Sequence, residues 1–502
     1  MTGLPPITHA DDLGSKPAVV ATEGEFTYRE LATATRSVAA VLGDGADLEQ
    51  SRVAVMVPPG FRHVATQWGT WAAGGVTVPL AMGNPAPELA YVLDDADVSI
   101  IVADAENRDV LAPLAAERDL PLLDADDVVS GSTPPTRLPD IGADRRCMIL
   151  YTSGTTGRPK GVVWRHGNLD AQLRCLTEAW HWSPNDRALL VLPLHHVHGI
   201  VNVMSCALWN GATLEMHPRF DAAATWDRFA SGELTVFMAV PTIYRRLIQH
   251  WDEAGAAERD AMRRGLAQMR LMVSGSAALP VPTLERWREI SGHTLLERYG
   301  MTEIGMALSN PYDGTRRPGT VGAPLPTVEV RLVGDDGTPV DSGTQGEIEV
   351  RGPSVFDEYW GRPDATAEAF HDGWFRTGDE AVAHDGVYRI LGRRSIDIIK
   401  SGGEKVSALE VEDVLRTHPA VDDCAVVGVA DDEWGERVVA AVVAAADLDP
   451  ADLQAFARAR LAPYKVPRRV VIVADLPRNA LGKVVKPEVR SLPAISAPDT
   501  IT

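Results

Sequence analysis

Residues 151–161 read YTSGTTGRPKG, a stretch rich in groups that can hold an anion. Glycines let backbone N–H groups approach a ligand, hydroxyls donate hydrogen bonds, and a lysine supplies charge. Thr152, Ser153, Gly154, Thr155, Thr156, Gly157 and Lys160 are the candidate phosphate ligands. The stretch departs from the G-x-x-x-x-G-K-[ST] loop, because Pro159 stands where the second glycine would precede Lys160. Taken alone, it reads equally well as an exposed Gly/Ser turn.

Other stretches carry related chemistry. In ERYGMTE, 297–303, Thr302 offers a hydroxyl for phosphate, Glu303 a carboxylate for Mg²⁺, and Tyr299 a flat face for a purine. In isolation the Thr-Glu pair reads as a helix start. In WFRTGDE, 374–380, Asp379 follows a Thr-Gly turn and could accept both hydroxyls of a ribose, or merely close a hairpin. GRRSIDIIKSGGEKVSALEVE, 392–412, contains the pair Gly402 and Gly403. PRNALGKVVK, 478–487, sets Lys483 behind a glycine, a place that alone suggests a solvated surface charge. LPLHHVHG, 192–199, holds His195, His196 and His198. In an extended chain His196 and His198 share a face, but no acidic or cysteine partner stands near to complete a metal site. VPTIYRRLIQHW, 240–251, reads as a strand end entering a helix. Neighbours on a helix point about 100° apart, so Arg245 and Arg246 do not both enter one pocket, and a solvated face is the plain reading. VSGSAA, 273–278, carries Ser276 but lacks the glycines of a G-x-S-x-G elbow, which disfavours a serine hydrolase.

The elements that must position these residues alternate in type. Strand-like runs (AVVAT, RVAVMV, VTVPL, VSIIVAD) and the helical FTYRELATATRSVAAVL fill residues 15–130. The proline-rich segment 128–140 reads as a loop before the strand CMILY. Strands ALLVLPL, ATLEMH, LTVFMAV and LMVSGS continue the pattern to about 290, and 318–392 turns into short strands with glycine turns. A smaller unit follows, with the boundary placed near Ser395. The expected fold is α/β: a large N-terminal domain, 1–394, of layered α/β subdomains plus a β-rich subdomain, and a small α+β C-terminal domain, 395–502.

Composition excludes several classes. A formal charge of −21 over 502 residues argues against nucleic acid as a partner and requires local cations for any anionic substrate. No apolar run reaches the length of a membrane span. The N-terminus lacks the pattern of a secretory signal, and the four cysteines are scattered without a CxxC pair, so a reducing cytoplasm is expected.

In their order along the chain, the five stretches at 151, 297, 374, 392 and 478 resemble the adenylate-forming acyl-CoA synthetase superfamily. The resemblance spans essentially the whole chain. It implies that a carboxylate attacks the α-phosphate of ATP, giving an acyl-adenylate and pyrophosphate, and that the thiol of coenzyme A then displaces AMP. Two unit charges about 3.5 Å apart at an effective dielectric of about 20 repel by roughly 4–5 kcal/mol, which Mg²⁺ and lysines must offset. By resemblance, the 152–160 loop holds the β- and γ-phosphates, Thr302 contacts the α-phosphate and Glu303 helps to hold Mg²⁺. Tyr299 lies beside adenine, Asp379 and Arg393 hold the ribose, and Lys483 bridges the substrate carboxylate and the α-phosphate. His196 matches the family's LPxFHxxG motif, at the junction with the pantetheine channel. The C-terminal domain is mobile in this family, withdrawing its lysine and bringing the Gly402-Gly403 segment to the thioester side. Ser395 occupies the hinge, where Asp or Lys is common.

ERYGMTEIGM with SNPYDGTRRPGTVG is similar to malonyl-CoA synthetases, a branch that implies Arg246 and Ser276 for a distal carboxylate, with Gly300 and Met301 beside them. Gly305-Met306-Ala307 departs from relatives that carry an Asn there, which affects the room for a 2-methyl group. Malonate is therefore the expected acid, with methylmalonate second. A medium-chain or aryl monocarboxylate, and loading of an acyl carrier in place of free coenzyme A, are the competing readings.

Overall fold

The computed structural model describes residues 9, 12–43, 46–131, 137–152, 159–394, 396–401, 404–431, 434–479 and 483–496. Two large parallel sheets carry the N-terminal part. The six-stranded sheet runs Leu122–Asp124, Ile100–Ala103, Arg52–Met56, Val76–Pro79, Arg146–Thr152, Lys160–Arg165, parallel until its antiparallel last pair. Its inner strands are continuous Val/Ile/Ala runs because helices cover both faces. In the nine-stranded sheet, strands Leu296–Met301, Leu271–Ser274, Val236–Ala239, Arg187–Leu190, Thr213–Met216 and Pro17–Ala21 are parallel neighbours in that order. Ligands in such sheets sit beyond the carboxyl ends of the strands, where the SGS turn and the YGMTE segment lie.

Residues 329–393 form the expected β-rich subdomain, an antiparallel sheet of five strands. Beyond it, strands Ile398–Ser401, Glu404–Ser407, Val421–Asp431, Gly435–Ala444 and Arg469–Ile472 build a separate sheet with helices on it. That sheet has its own cores, one around Ile399, Val411, Val426 and Leu453, another around Val427, Leu476 and Val489. The mixed α/β class and the division into a large and a small part agree with the sequence. One boundary moves: the loop expected from 128 begins later, because Ala125–Ser130 is helical, capped by Asp124, whose side chain accepts from the Asp126 amide.

Candidate active site

The candidate phosphate-binding stretch lies between two antiparallel strands. Arg146–Thr152 pairs with Lys160–Arg165, and Thr152 lies opposite Lys160. Ser153, Gly154, Thr155, Thr156 and Gly157 lie outside the described residues. The base of this hairpin is braced from outside: Tyr91 donates to the Pro159 carbonyl at 2.7 Å, and the Trp360 amide donates to the Gly161 carbonyl at 2.8 Å. The Lys160 ammonium stands 4.8 Å from the ring centre of Tyr359.

Tyr359 links Lys160 to the YGMTE segment, its hydroxyl donating to Glu303 Oε1 at 2.9 Å. Thr302 and Glu303 form a tight turn between strands Leu296–Met301 and Gly305–Ser309, closed by Ile304 N donating to the Met301 carbonyl at 3.2 Å. The local pattern of a helix start is thus overridden by strand pairing. A Cβ at Gly300 would stand 2.0 Å from the Gly305 carbonyl oxygen, so only glycine fits at the neck. Gly305 has φ +63°, and a Cβ there would strike Gln172, whose Oε1 accepts from the Met306 amide at 2.7 Å. Trp164 Nε1 donates to the Thr302 carbonyl at 3.0 Å, and the Phe356 amide to the Glu303 carbonyl at 2.8 Å. Burial pushes the Glu303 carboxyl up, opposed by Tyr359, Arg393 and Lys160.

Asp379 does not follow the end of a strand. It lies inside the eleven-residue strand Trp374–His384, at a bulge where Gly378 adopts φ +71°. The bulge aims Asp379 at both neighbours: Tyr299 Oη donates to Oδ2 at 2.6 Å, and Arg393 Nε stands 3.2 Å from Oδ1. Burial raises the Asp379 carboxyl, while Arg393, Tyr299 and Lys483 oppose the rise. Lys483, from the far end of the chain, thus reaches this cluster. Its side chain is exposed, yet desolvation by the surrounding protein holds its ammonium below the ordinary lysine range, Arg393 acting in the same direction and Asp397 and Asp379 against it. Lys486, three residues on, is buried between Asp397 Oδ1 at 2.6 Å and Glu412 Oε1 at 2.7 Å.

The histidines are not arranged as an extended chain would place them. His198 opens a π-helical segment, His198–Ser205, a distortion common at functional sites. His195 and His196 have ring centres 4.2 Å apart, and burial pushes them down to about 3 and about 4. Both are neutral imidazoles at physiological pH. His198 Nδ1 lies 3.1 Å from Oγ of Ser276, which holds the left-handed φ of +67° in the SGS turn. No group of three or more His, Cys, Asp and Glu able to hold a metal occurs among the described residues.

The two arginines of 240–251 diverge as the helix geometry requires. On helix Pro241–Glu253, Arg245 pairs with Asp422, and Arg246 is exposed with its guanidinium 5.4 Å from the Phe220 ring centre. The arginine that sequence reasoning passed over is Arg298, inside ERYGMTE itself. It is 4% exposed, and its Nε and Nη2 are buried without a hydrogen-bond partner among the described residues. Burial pulls its guanidinium down to about 9. A Cβ at Gly275 would meet its Cζ at 2.5 Å, and its charge contributes to the depression of His198. Arg298, Gly275, Ser276 and His198 therefore lie together as one cationic cluster. The available signal was an arginine inside a strand buried in a parallel sheet. Tyr359 left no comparable signal. Gly402, Gly403 and Ser395 lie outside the described residues.

Comparison with known proteins agrees with this geometry. The profile of the AMP-binding enzyme family matches residues 8–360, and that of the AMP-binding enzyme C-terminal domain matches 410–483. A mouse (Mus musculus) protein named malonate–CoA ligase ACSF3, mitochondrial, is 46% identical, covering 97% of this chain and 90% of its own length. A malonate–CoA ligase of Arabidopsis thaliana is 40% identical over 88% of this chain and 78% of its own. The crystal structure of ATP-bound MatB from Rhodopseudomonas palustris superposes with a TM-score of 0.90 at 35% identity, covering 98% of this chain and 99% of that one. The chain belongs to the AMP-binding enzyme family, the adenylate-forming ligases.

Proposed function

We propose that the chain ligates malonate to coenzyme A through a malonyl-adenylate, releasing AMP and pyrophosphate. The observation that carries this reading is the buried, unpartnered guanidinium of Arg298 beside Ser276 and His198. A buried charge left without a partner is strongly unfavourable, and a planar guanidinium is suited to a bidentate carboxylate. A dicarboxylate supplies that partner, whereas acetate, a fatty acid or a benzoate leaves the pocket unpaired. The relatives named malonate–CoA ligases support the same acid. Arg246, which the family resemblance implies for the distal carboxylate, is exposed on its helix and stands as a second cation for that carboxylate.

One carboxylate of malonate rests in this pocket and the other is presented to the α-phosphorus of ATP. A carboxylate oxygen forms a bond to phosphorus as the bond to the pyrophosphate oxygen breaks. Lys483 neutralises the approach of carboxylate to phosphate, and Lys160 with the hairpin hydroxyls holds the departing pyrophosphate. Tyr299, Asp379 and Arg393 seat the nucleoside. Glu303 has Oε1 taken by Tyr359, and its second oxygen suits a cation bound by one carboxylate and substrate phosphates. Mg²⁺ held there would screen the phosphate charge. The neutral imidazoles of His195 and His196 leave the entry of a second anion to be answered by Arg298 and Lys483. In the second step the thiol sulfur bonds to the acyl carbon and the acyl–AMP bond breaks.

The cores of the small sheet, separate from the large N-terminal core, support a boundary at 394/395 and a C-terminal domain that changes pose between the two steps; a small cluster of Val382, Leu391 and Ile398 packs across that boundary. We place the protein in the cytoplasm on its four buried, free thiols, although curated vertebrate relatives carry "mitochondrial" in their names. No helix among the described residues is long and apolar enough to cross a membrane. Free coenzyme A is the expected acceptor, as the relatives' names indicate.

The test is pyrophosphate release with malonate, methylmalonate, acetate, octanoate and a benzoate. Malonate is expected to give the highest kcat/KM. A monocarboxylate that exceeds malonate tenfold overturns the reading.

A further inference from the structure

The side chain of Arg245 leaves the acyl side of helix Pro241–Glu253 and crosses to the small C-terminal sheet. Its Nη2 stands 2.9 Å from Asp422 Oδ1 and 2.8 Å from Oδ2, and its Nη1 stands 3.9 Å from Asp423 Oδ2. Consecutive residues of a regular strand point to opposite faces, so two adjacent aspartates should not meet one guanidinium. They do so because strand Val421–Asp431 bulges there. Val421 pairs with Ala444 and Asp423 with Val443, leaving Asp422 as the extra residue. Bulges re-aim side chains, and this one turns both carboxylates toward Arg245.

Asp423 continues the connection. Its Oδ1 accepts from the Cys424 amide at 2.8 Å and from Arg416 Nε at 3.3 Å, which fixes its orientation, and its Oδ2 pairs with Arg478. Arg478 is tied to the neighbours of Lys483. It bridges to Val484, the Asn479 amide donates to the Lys483 carbonyl at 2.9 Å, and the Lys483 amide donates to Asn479 Oδ1 at 3.0 Å. A continuous line of ion pairs and backbone bonds thus runs from the helix bearing Arg246 to Lys483.

We propose that Arg245, through Asp422 and Asp423, is the latch that keeps the C-terminal domain in the pose with Lys483 beside the Asp379–Arg393 pair. Arg245 is a positioning residue: it acts through Arg478 and the Arg478–Val484 and Asn479–Lys483 links, and release of the pair frees the domain for the thioester step. The inference rests on the reading of Lys483 given above. A single half-exposed ion pair holds an equilibrium only weakly, which suits a latch that must open in every cycle.

The test compares the two half-reactions in Arg245→Glu, Asp422→Arg and the charge-swapped double variant. Charge reversal removes the pair and adds repulsion, so each single variant is expected to slow adenylation by roughly five- to twentyfold. KM for malonate and thioester formation from supplied malonyl-AMP should stay within about twofold, and the swapped pair should restore adenylation within about threefold. Equal loss in both half-reactions, failure of the swap to rescue, or a rise in KM for malonate in place of a fall in kcat overturns the latch. Wild-type protein that does not adenylate malonate overturns the acyl reading instead. The same swap is then scored with the acid that it does activate.

Discussion

The two ends of the site are built on opposite electrostatic plans. At the proposed nucleotide end the described groups Asp379, Glu303 and Lys160 each have a protein partner: Asp379 is shared by Tyr299 and Arg393, Glu303 accepts from Tyr359, and Lys160 faces the Tyr359 ring. At the proposed acyl end Arg298 has its Nε and Nη2 buried without a partner among the described residues, against a glycine and a histidine kept neutral. The unpaired end is satisfied only by a substrate that brings its own negative charge, so selectivity concentrates there.

In the proposed mechanism Lys483 stands where the two ends meet, and its removal should have an effect as large as any. Lys483→Ala is expected to lower adenylation by about 10²–10³-fold or more, the scale of one lost transition-state electrostatic contact. Thioester formation from supplied malonyl-AMP should persist, because the domain no longer presents this residue in that step. Equal loss in both half-reactions, followed by pyrophosphate release and thioester appearance, breaks the assignment.

The contrast within the acyl end comes next. Arg298→Met keeps the side-chain bulk and deletes the charge, leaving the second carboxylate of malonate buried and unpaired. That costs about 3–5 kcal/mol, or two to three decades and more in kcat/KM. Arg246→Ala removes an exposed cation and should cost only about two- to fivefold. Acetate, which never pairs with either, should lose far less than malonate in both variants. A reversed order of the two arginines would move the distal carboxylate to the helix and dissolve the comparison.

The sequence exposed the nucleotide end more fully than the acyl end for a physical reason. Glycines, hydroxyls and a lysine in YTSGTTGRPKG declare a phosphate site through their own chemistry, wherever the chain goes. Arg298 stands in the quoted ERYGMTE yet carries no such declaration, since its meaning depends on burial and on what is missing around it. Three strand irregularities were equally hidden. The register shifts at Tyr299/Gly300, opposite Thr377–Asp379, and at Asp422 arise from how paired strands settle against each other, which the pattern of either strand alone does not encode. Pairing of the two strands that flank it turned the expected Thr302–Glu303 helix start into a hairpin turn. The alternation of strand and helix up to the β-rich subdomain was legible because burial on both faces writes itself as unbroken Val, Ile and Ala runs.

A small expected effect tests the pre-paired end directly. Tyr299→Phe removes the hydroxyl that donates to Asp379 Oδ2 at 2.6 Å and leaves Arg393 on Oδ1. A hydrogen bond to a charged group is worth about 1.5–3 kcal/mol, but the freed oxygen becomes available to a ribose hydroxyl, which offsets part of that loss. The result should be a rise in KM for ATP of about three- to tenfold, below the full energy of such a bond. KM for malonate should not move, because the altered pair lies on the other side of Lys483. A loss of a hundredfold or more would mean that the nucleotide end depends on this hydroxyl as the acyl end depends on Arg298. A fall in KM would mean that Tyr299 competes with the ribose and that the preformed pair must open for ATP to bind.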